Sequence, residues 1–249
     1  MIEEYKISWR VPNNIGYFIS SNQKGHSRNQ YKYANFSLNV GDKEKCVNAN
    51  INDLKHLCSI NNIAFMNQLH SNKSRELIYF KKNIKVDGIF THNKKIACAV
   101  LTADCLPILV TDKTGSFIGC IHAGWRGLKS KIIENYFNGI SLKKKSDLKV
   151  LIGPSISKDM YEVDHNILHS FSEHAGHFKS NKNDKYNMDI RNIARDILHK
   201  LGITDVTMSK SCTYKDERLF SYRKSKITGR FISLISVSYT HLRAHETQS

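Results

Sequence analysis

Two residues with reactive side chains stand directly behind apolar runs. Cys105 closes Thr102-Ala103-Asp104-Cys105 after Ile96–Leu101, and His122 opens His122-Ala123-Gly124-Trp125-Arg126-Gly127 after Phe117–Ile121. Strand ends can hold reactive groups rigidly while facing them into a cleft. A thiol and an imidazole so placed admit three readings: a nucleophile with its base, a pair of metal ligands, or packing residues. Thiolate and imidazole are the usual ligands of zinc, and a set of two His and one Cys leaves the fourth tetrahedral position open. His70, in Gln68-Leu69-His70-Ser71, could complete such a set. Alternation along Ile63–Ser71 puts Gln68 and His70 on one strand face. Taken alone, His70 reads more simply as a hydrogen-bonded structural histidine. No local ligand motif joins the three, so residue types and spacing leave catalysis, metal binding and packing open.

The elements that must position these residues alternate between strand and helix character. Ile15–Ser20, Ile63–Ser71, Leu148–Ile152, Asp205–Ser209 and Phe231–Ile235 read as strands. After a turn at Gly41-Asp42, with Asp42 as the expected cap, a helix carries Val47, Ile51, Leu54 and Cys58 on one face. A second helix is expected from Leu128 to Asn138, stopped by Gly139. The clearest runs over Asp189–Leu201, with Ile190, Ile193, Ala194, Ile197, Leu198 and Leu201 in a stripe ended by Gly202. No repeat or low-complexity linker divides the chain, so the expectation is a single mixed α/β domain over residues 1–237. The end from about Ser238 (SYTHLRAHETQS) lacks apolar period and reads as a non-native or disordered tail, so its histidines are set aside.

Composition narrows the class further. The chain has 249 residues, enough for a substantial core, and carries a formal net charge of +16. Its lysines are scattered among Asn and Ile, and the tightest runs, Lys81-Lys82 and Lys143-Lys144-Lys145, fall in expected loops without any nucleic-acid-binding motif. A basic nucleic-acid-binding protein is therefore the weaker class, and attraction for small anionic substrates the stronger. No apolar run reaches the roughly eighteen residues of a membrane span. The start, MIEEYKISWR, lacks the order of a secretory signal; a cytoplasmic protein with no membrane partner is expected. Six cysteines without a CxxC pair suggest reduced thiols, with Cys98 and Cys120 packed inside strands.

The strings TADCLPIL, HAGWRGL, IGPSISKDMYEVD and CT…LFSYR…TGRFISLI, in this order and separation, resemble the YfiH/laccase-domain family, also called multicopper polyphenol oxidase-like or DUF152. The likeness spans roughly residues 10–236. Members are described as purine nucleoside phosphorylases with adenosine deaminase activity. The resemblance implies one α/β domain of the YfiH type and a zinc site, with copper the alternative metal, on His70, Cys105 and His122. The implied partners are a purine nucleoside and phosphate, on a monomer or homodimer. Asp104 joins the three as a candidate catalytic or orienting carboxylate, or a structural one. Arg126, Arg223 and Arg230 are candidate substrate contacts, because guanidinium forks fit phosphate. Tyr161 and Tyr222 could stack on a base, or pack. The chain departs from the family pattern at His70-Ser71, where Gly usually follows His, and at Val86-Asp87-Gly88 in place of Ala-Asp-Ala. At Asn22-Gln23-Lys24-Gly25-His26-Ser27 the usual loop arginine is missing. A metal-free Cys/His hydrolase, such as an amidase acting on peptidoglycan precursors, and a copper-dependent polyphenol oxidase remain alternatives.

Overall fold

The computed structural model describes residues 1–140, 145–182 and 184–237. Lys143, Lys144 and the tail from Ser238 lie outside the described residues. In chain order the strands of the first half are β1 (Ile15–Ile19), β2 (Asn62–Phe65), β3 (Ser74–Glu76), β4 (Gly88–Thr91), β5 (Ile96–Thr102), β6 (Leu106–Asp112) and β7 (Ile118–Ala123). Those of the second half are β8 (Leu148–Ile152), β9 (Glu162–Val163), β10 (Phe178–Ser180), β11 (Tyr186–Met188), β12 (Asp205–Met208) and β13 (Phe231–Val237). The helices are α1 (Glu44–Cys58), α2 (Trp125–Lys129), α3 (Ile132–Asn138), α4 (His165–His169) and α5 (Ile190–Lys200).

Two sheets carry the molecule. One has the order β1-β13-β5-β2 and the other β12-β8-β6-β7-β4-β3, with a small β10-β11-β9 sheet beside them. Side-chain alternation assigns each strand face to a different layer. Ile96, Cys98 and Val100 of β5 meet Leu109, Ile118, Cys120 and Leu151 between the two large sheets. Ala97 and Ala99 point the other way, toward Leu54 and Cys58 of α1. On the far side, Leu106, Ile108 and Val110 of β6 pack on α3 and α5 through Ile133, Tyr136, Phe137, Ile193 and Ile197. The result is helix, sheet, sheet, helix. β6 and β7 are buried along their whole length, which is why both read as nearly continuous apolar runs.

The sequence-based expectations differ from this structure in three places. The helix expected over residues 128–138 is two, α2 and α3, because Lys131 takes a left-handed conformation (φ 65°) between them. The strand expected through Ser71 ends at Phe65, and His70 itself has φ 57°, so Gln68 and His70 do not share a strand face. Gln68 instead pairs with the backbone of Leu101, accepting from its N–H at 2.9 Å and donating to its carbonyl at 2.8 Å. The cap of α1 is Lys43, one residue later than expected; Asp42 accepts from Asn35 and from the Lys43 N–H. The helix expected over Asp189–Leu201 is α5, capped by Asp189, whose carboxylate accepts from the Asn192 N–H.

Candidate metal centre and active site

All three candidate ligands sit where the chain crosses between the large sheets or leaves one of them. Ala103-Asp104-Cys105 is the three-residue passage from β5 to β6. His70 lies on the passage from β2 to β3, and His122 is near the end of β7. Their ligand atoms lie within 4.8 Å of one another. Cys105 Sγ is 3.9 Å from His70 Nε2, and the two imidazoles meet edge to face with centroids 4.6 Å apart.

Asp87, fully buried just before β4, builds this arrangement. Its carboxylate accepts from three successive N–H groups, those of Leu69 (3.1 Å), His70 (3.0 Å) and Ser71 (2.7 Å), and from the Ser71 hydroxyl (2.7 Å). The left-handed turn at His70 lets the loop wrap the carboxylate. The same group accepts from His122 Nδ1 at 2.8 Å, which leaves Nε2 as the nitrogen available for chemistry. A carboxylate behind a ligating imidazole fixes its tautomer and raises its basicity. Sequence reasoning gave Asp87 no role; its signal was a lone carboxylate beside glycine at the head of an apolar run.

The electrostatics follow from this packing. Burial favours a neutral His122 ring, but hydrogen bonds to Asp87 and Cys105 and their charges outweigh it, pushing the ring up to about 9. Burial likewise opposes the Cys105 thiolate, yet His122 and His70 bring it down to about 6. Asp87 is desolvated too, and its bonds to His122 and Ser71 hold it down at about 2.

The donor set fits a metal ion. Two imidazole nitrogens and a thiolate are the ligands of zinc sites with one open position, and trigonal His₂Cys is also a copper arrangement. Gly124 keeps the space between the donors clear: a Cβ there would fall 2.9 Å from Cys105 Sγ and 3.1 Å from His70 Cδ2. Among the described residues this is the one group of three or more such side chains.

A cavity of about 460 Å³ opens onto the three donors. Arg126 and Arg230 line it, with Tyr222, Gln68, Met66 and Asn39. Arg126 lies over the Trp125 ring at 4.4 Å, and Arg230 donates to the Thr228 and Gly229 carbonyls. Arg223 is not part of the lining; it stacks over Tyr161 at 5.2 Å and donates to the Glu162 carbonyl. Asp104 is engaged by both carboxylate oxygens, accepting from the Thr213 hydroxyl and the Arg223 N–H, each at 2.6 Å. With φ 100° it occupies a costly backbone conformation for a side-chain-bearing residue, and those two bonds hold the turn that presents Cys105. Behind it, buried Arg191 donates to Ser155 Oγ and to the Ser155, Ser209 and Ser211 carbonyls.

With fold and site in view, the comparisons define the class. The family described as multi-copper polyphenol oxidoreductase laccase matches residues 16–238, and the chain belongs to that family. It is 31% identical to a purine nucleoside phosphorylase of Haemophilus influenzae, covering 92% of this chain and 96% of that one. It is 29% identical to the Escherichia coli purine nucleoside phosphorylase YfiH, covering 91% and 96%. The crystal structure of Neisseria meningitidis protein NMB0706, of DUF152, superposes with a TM-score of 0.86 at 30% identity over 93% and 97% of the two chains. Bacillus licheniformis YfiH shares the fold at a TM-score of 0.84 and 23% identity, over 91% and 94%.

Proposed function

We propose that this chain is a zinc-dependent purine nucleoside phosphorylase that also deaminates adenosine. The observation that carries the reading is the convergence of His70, Cys105 and His122 on a cavity that also holds two arginines. The relatives named as purine nucleoside phosphorylases, similar along nearly the whole chain, point the same way. Bound by these three residues, zinc would supply a Lewis acid that brings water toward neutral pKa, the chemistry that replacement of a purine 6-amino group requires.

The chain's own residues have separate tasks. Asp87 holds the proton on His122 Nδ1 and so keeps Nε2 directed at the reacting centre. Arg126 and Arg230 supply fixed positive charge for phosphate, whose oxygen attacks the ribose C1′ as the bond to the purine nitrogen breaks. Tyr222 offers an aromatic face on the cavity wall for the base. Arg223 acts at one remove, through the turn its N–H ties to Asp104. In this reading Asp104 is a positioning residue for Cys105.

Turnover of adenosine, inosine and methylthioadenosine, with and without phosphate, tests the proposal on wild type and His122→Ala alongside metal analysis. Phosphate-dependent release of base by the wild type, with loss of metal and activity in the variant, is the expected result. Unchanged activity in the variant overturns it. A second reading, a metal-free Cys105/His122 hydrolase, draws on the lowered Cys105 thiol and the raised His122 ring. Activity that survives complete metal removal but not thiol alkylation would favour it.

A further inference from the structure

At the other end of β4 from Asp87, the loop leaving β3 exposes three consecutive apolar side chains. Leu77 is buried, its N–H donating to the Phe90 carbonyl and its own carbonyl accepting from the Thr91 hydroxyl. The next three are turned to solvent: Ile78 is 65% exposed, Tyr79 80% and Phe80 37%. Such residues are ordinarily exposed singly, and a contiguous run marks a contact surface. Lys81 and Lys82 follow directly, both exposed. The turn carrying exposed Lys95 is tied to the same loop, since Asn93 Nδ2 donates to the Ile78 carbonyl at 3.1 Å. No carboxylate interrupts residues 77–86. Glu76 is the acidic residue at the loop's base.

We propose that this loop docks the protein reversibly on an anionic lipid surface, with Ile78, Tyr79 and Phe80 entering the headgroup boundary and the lysines pairing with lipid phosphates. Charge complementarity selects the occupant: the apolar tip is followed and flanked by cations, and the whole chain carries +16. Aromatic side chains favour the headgroup region, and polybasic segments add electrostatic attraction to anionic lipid. An aliphatic residue as exposed as Ile78 gains from entering acyl chains and has no face to stack on a nucleic-acid base, so lipid is favoured over nucleic acid. The absence of a membrane-spanning helix among the described residues excludes only spanning by a helix; lying on a surface needs none. The catalytic donors sit beside the opposite end of β4, so docking leaves the cavity open to solutes.

The experiment is flotation of the full chain with vesicles of phosphatidylcholine alone and of phosphatidylcholine with phosphatidylglycerol, at low and at physiological salt. Two variants accompany it: Ile78→Ser/Tyr79→Ser/Phe80→Ser, which leaves the charge unchanged, and Lys81→Glu/Lys82→Glu. The wild type is expected to float with the anionic vesicles only, and more weakly as salt rises. The charge-reversed variant is expected to lose about tenfold or more in affinity. The apolar variant is expected to lose about as much, with phosphorolysis of inosine and the melting temperature unchanged in both. Three results would each overturn the proposal: no flotation of the wild type at low salt, equal flotation of the apolar variant, or a wild-type dimer that this variant converts to monomer. So would duplex DNA binding that this variant loses while its flotation persists.

Discussion

His122 is held from one side by the Asp87 carboxylate, and the His70 loop is wound around that same carboxylate, so one buried acid sets two of the three donors. Asp87→Asn should therefore weaken zinc binding by about 10–100-fold, read by competition with a chromogenic chelator. The same variant should lower stability by about 2–4 kcal/mol, because an amide cannot accept all the bonds the carboxylate does. In metal-free protein Cys105 lies at about 6, so its thiolate predominates above that pH. Alkylation by iodoacetamide should rise with a midpoint near pH 6, be blocked by zinc, and move up toward the ordinary thiol range near 8.5 in His122→Ala. The sequence made Cys105 and His122 visible because both follow apolar runs. His70 was picked out by an alternation that the structure does not keep, since its left-handed turn belongs to no strand; the family resemblance moved it from a structural histidine to a ligand. Asp87 escaped because its partners lie at residues 69–71 and 122, contacts that no local pattern encodes.

The elements that matter most are the short crossings between the two large sheets. β5 ends in one sheet and β6 begins in the other, and the turn between them is tight enough to require φ 100° at Asp104. Thr213 and Arg223 reach that turn from the far part of the chain. Gly124, at the start of α2, has ordinary backbone angles (φ −82°, ψ 172°), so a side chain there is excluded by space alone. Gly124→Ala should reduce zinc affinity at least about tenfold by crowding Cys105 and His70, with the melting temperature of the metal-free protein little changed. Arg191→Met removes the donor to four oxygens, three of them in buried bonds, and should cost about 3 kcal/mol, read by urea unfolding. Helix α5 was legible because its apolar stripe and closing Gly202 agree; the Asp189 cap is a finding of the structure. The split between α2 and α3 was not, because it turns on a lysine in a left-handed conformation, a residue type without that signature.

At the scale of the whole molecule, the N-terminal segment is tied to the loop that supports the site. Tyr5 donates its hydroxyl proton to Asp216 and accepts from the Ser211 hydroxyl, and Arg218 donates to Asp216. The Arg218 guanidinium holds the Asp216 carboxyl down at about 2, below its unfolded value near 3.9. The contribution is therefore complete above about pH 4 and fades as pH falls through 2. Thermal melts of wild type and Asp216→Asn should differ most near neutrality and converge toward pH 2. The excess positive charge should also show in catalysis: KM for phosphate is expected to rise with ionic strength. The mixed α/β class was legible from strand and helix alternation, whereas the pairing of two sheets face to face was not, because β6 lay hidden behind the Cys105 motif. Zinc dependence is tested most directly by phosphorolysis of inosine by protein stripped of metal, before and after one equivalent of zinc. Activity absent from the stripped protein and restored by that equivalent is the expected result; full activity in the stripped protein would rule out a zinc-dependent phosphorylase.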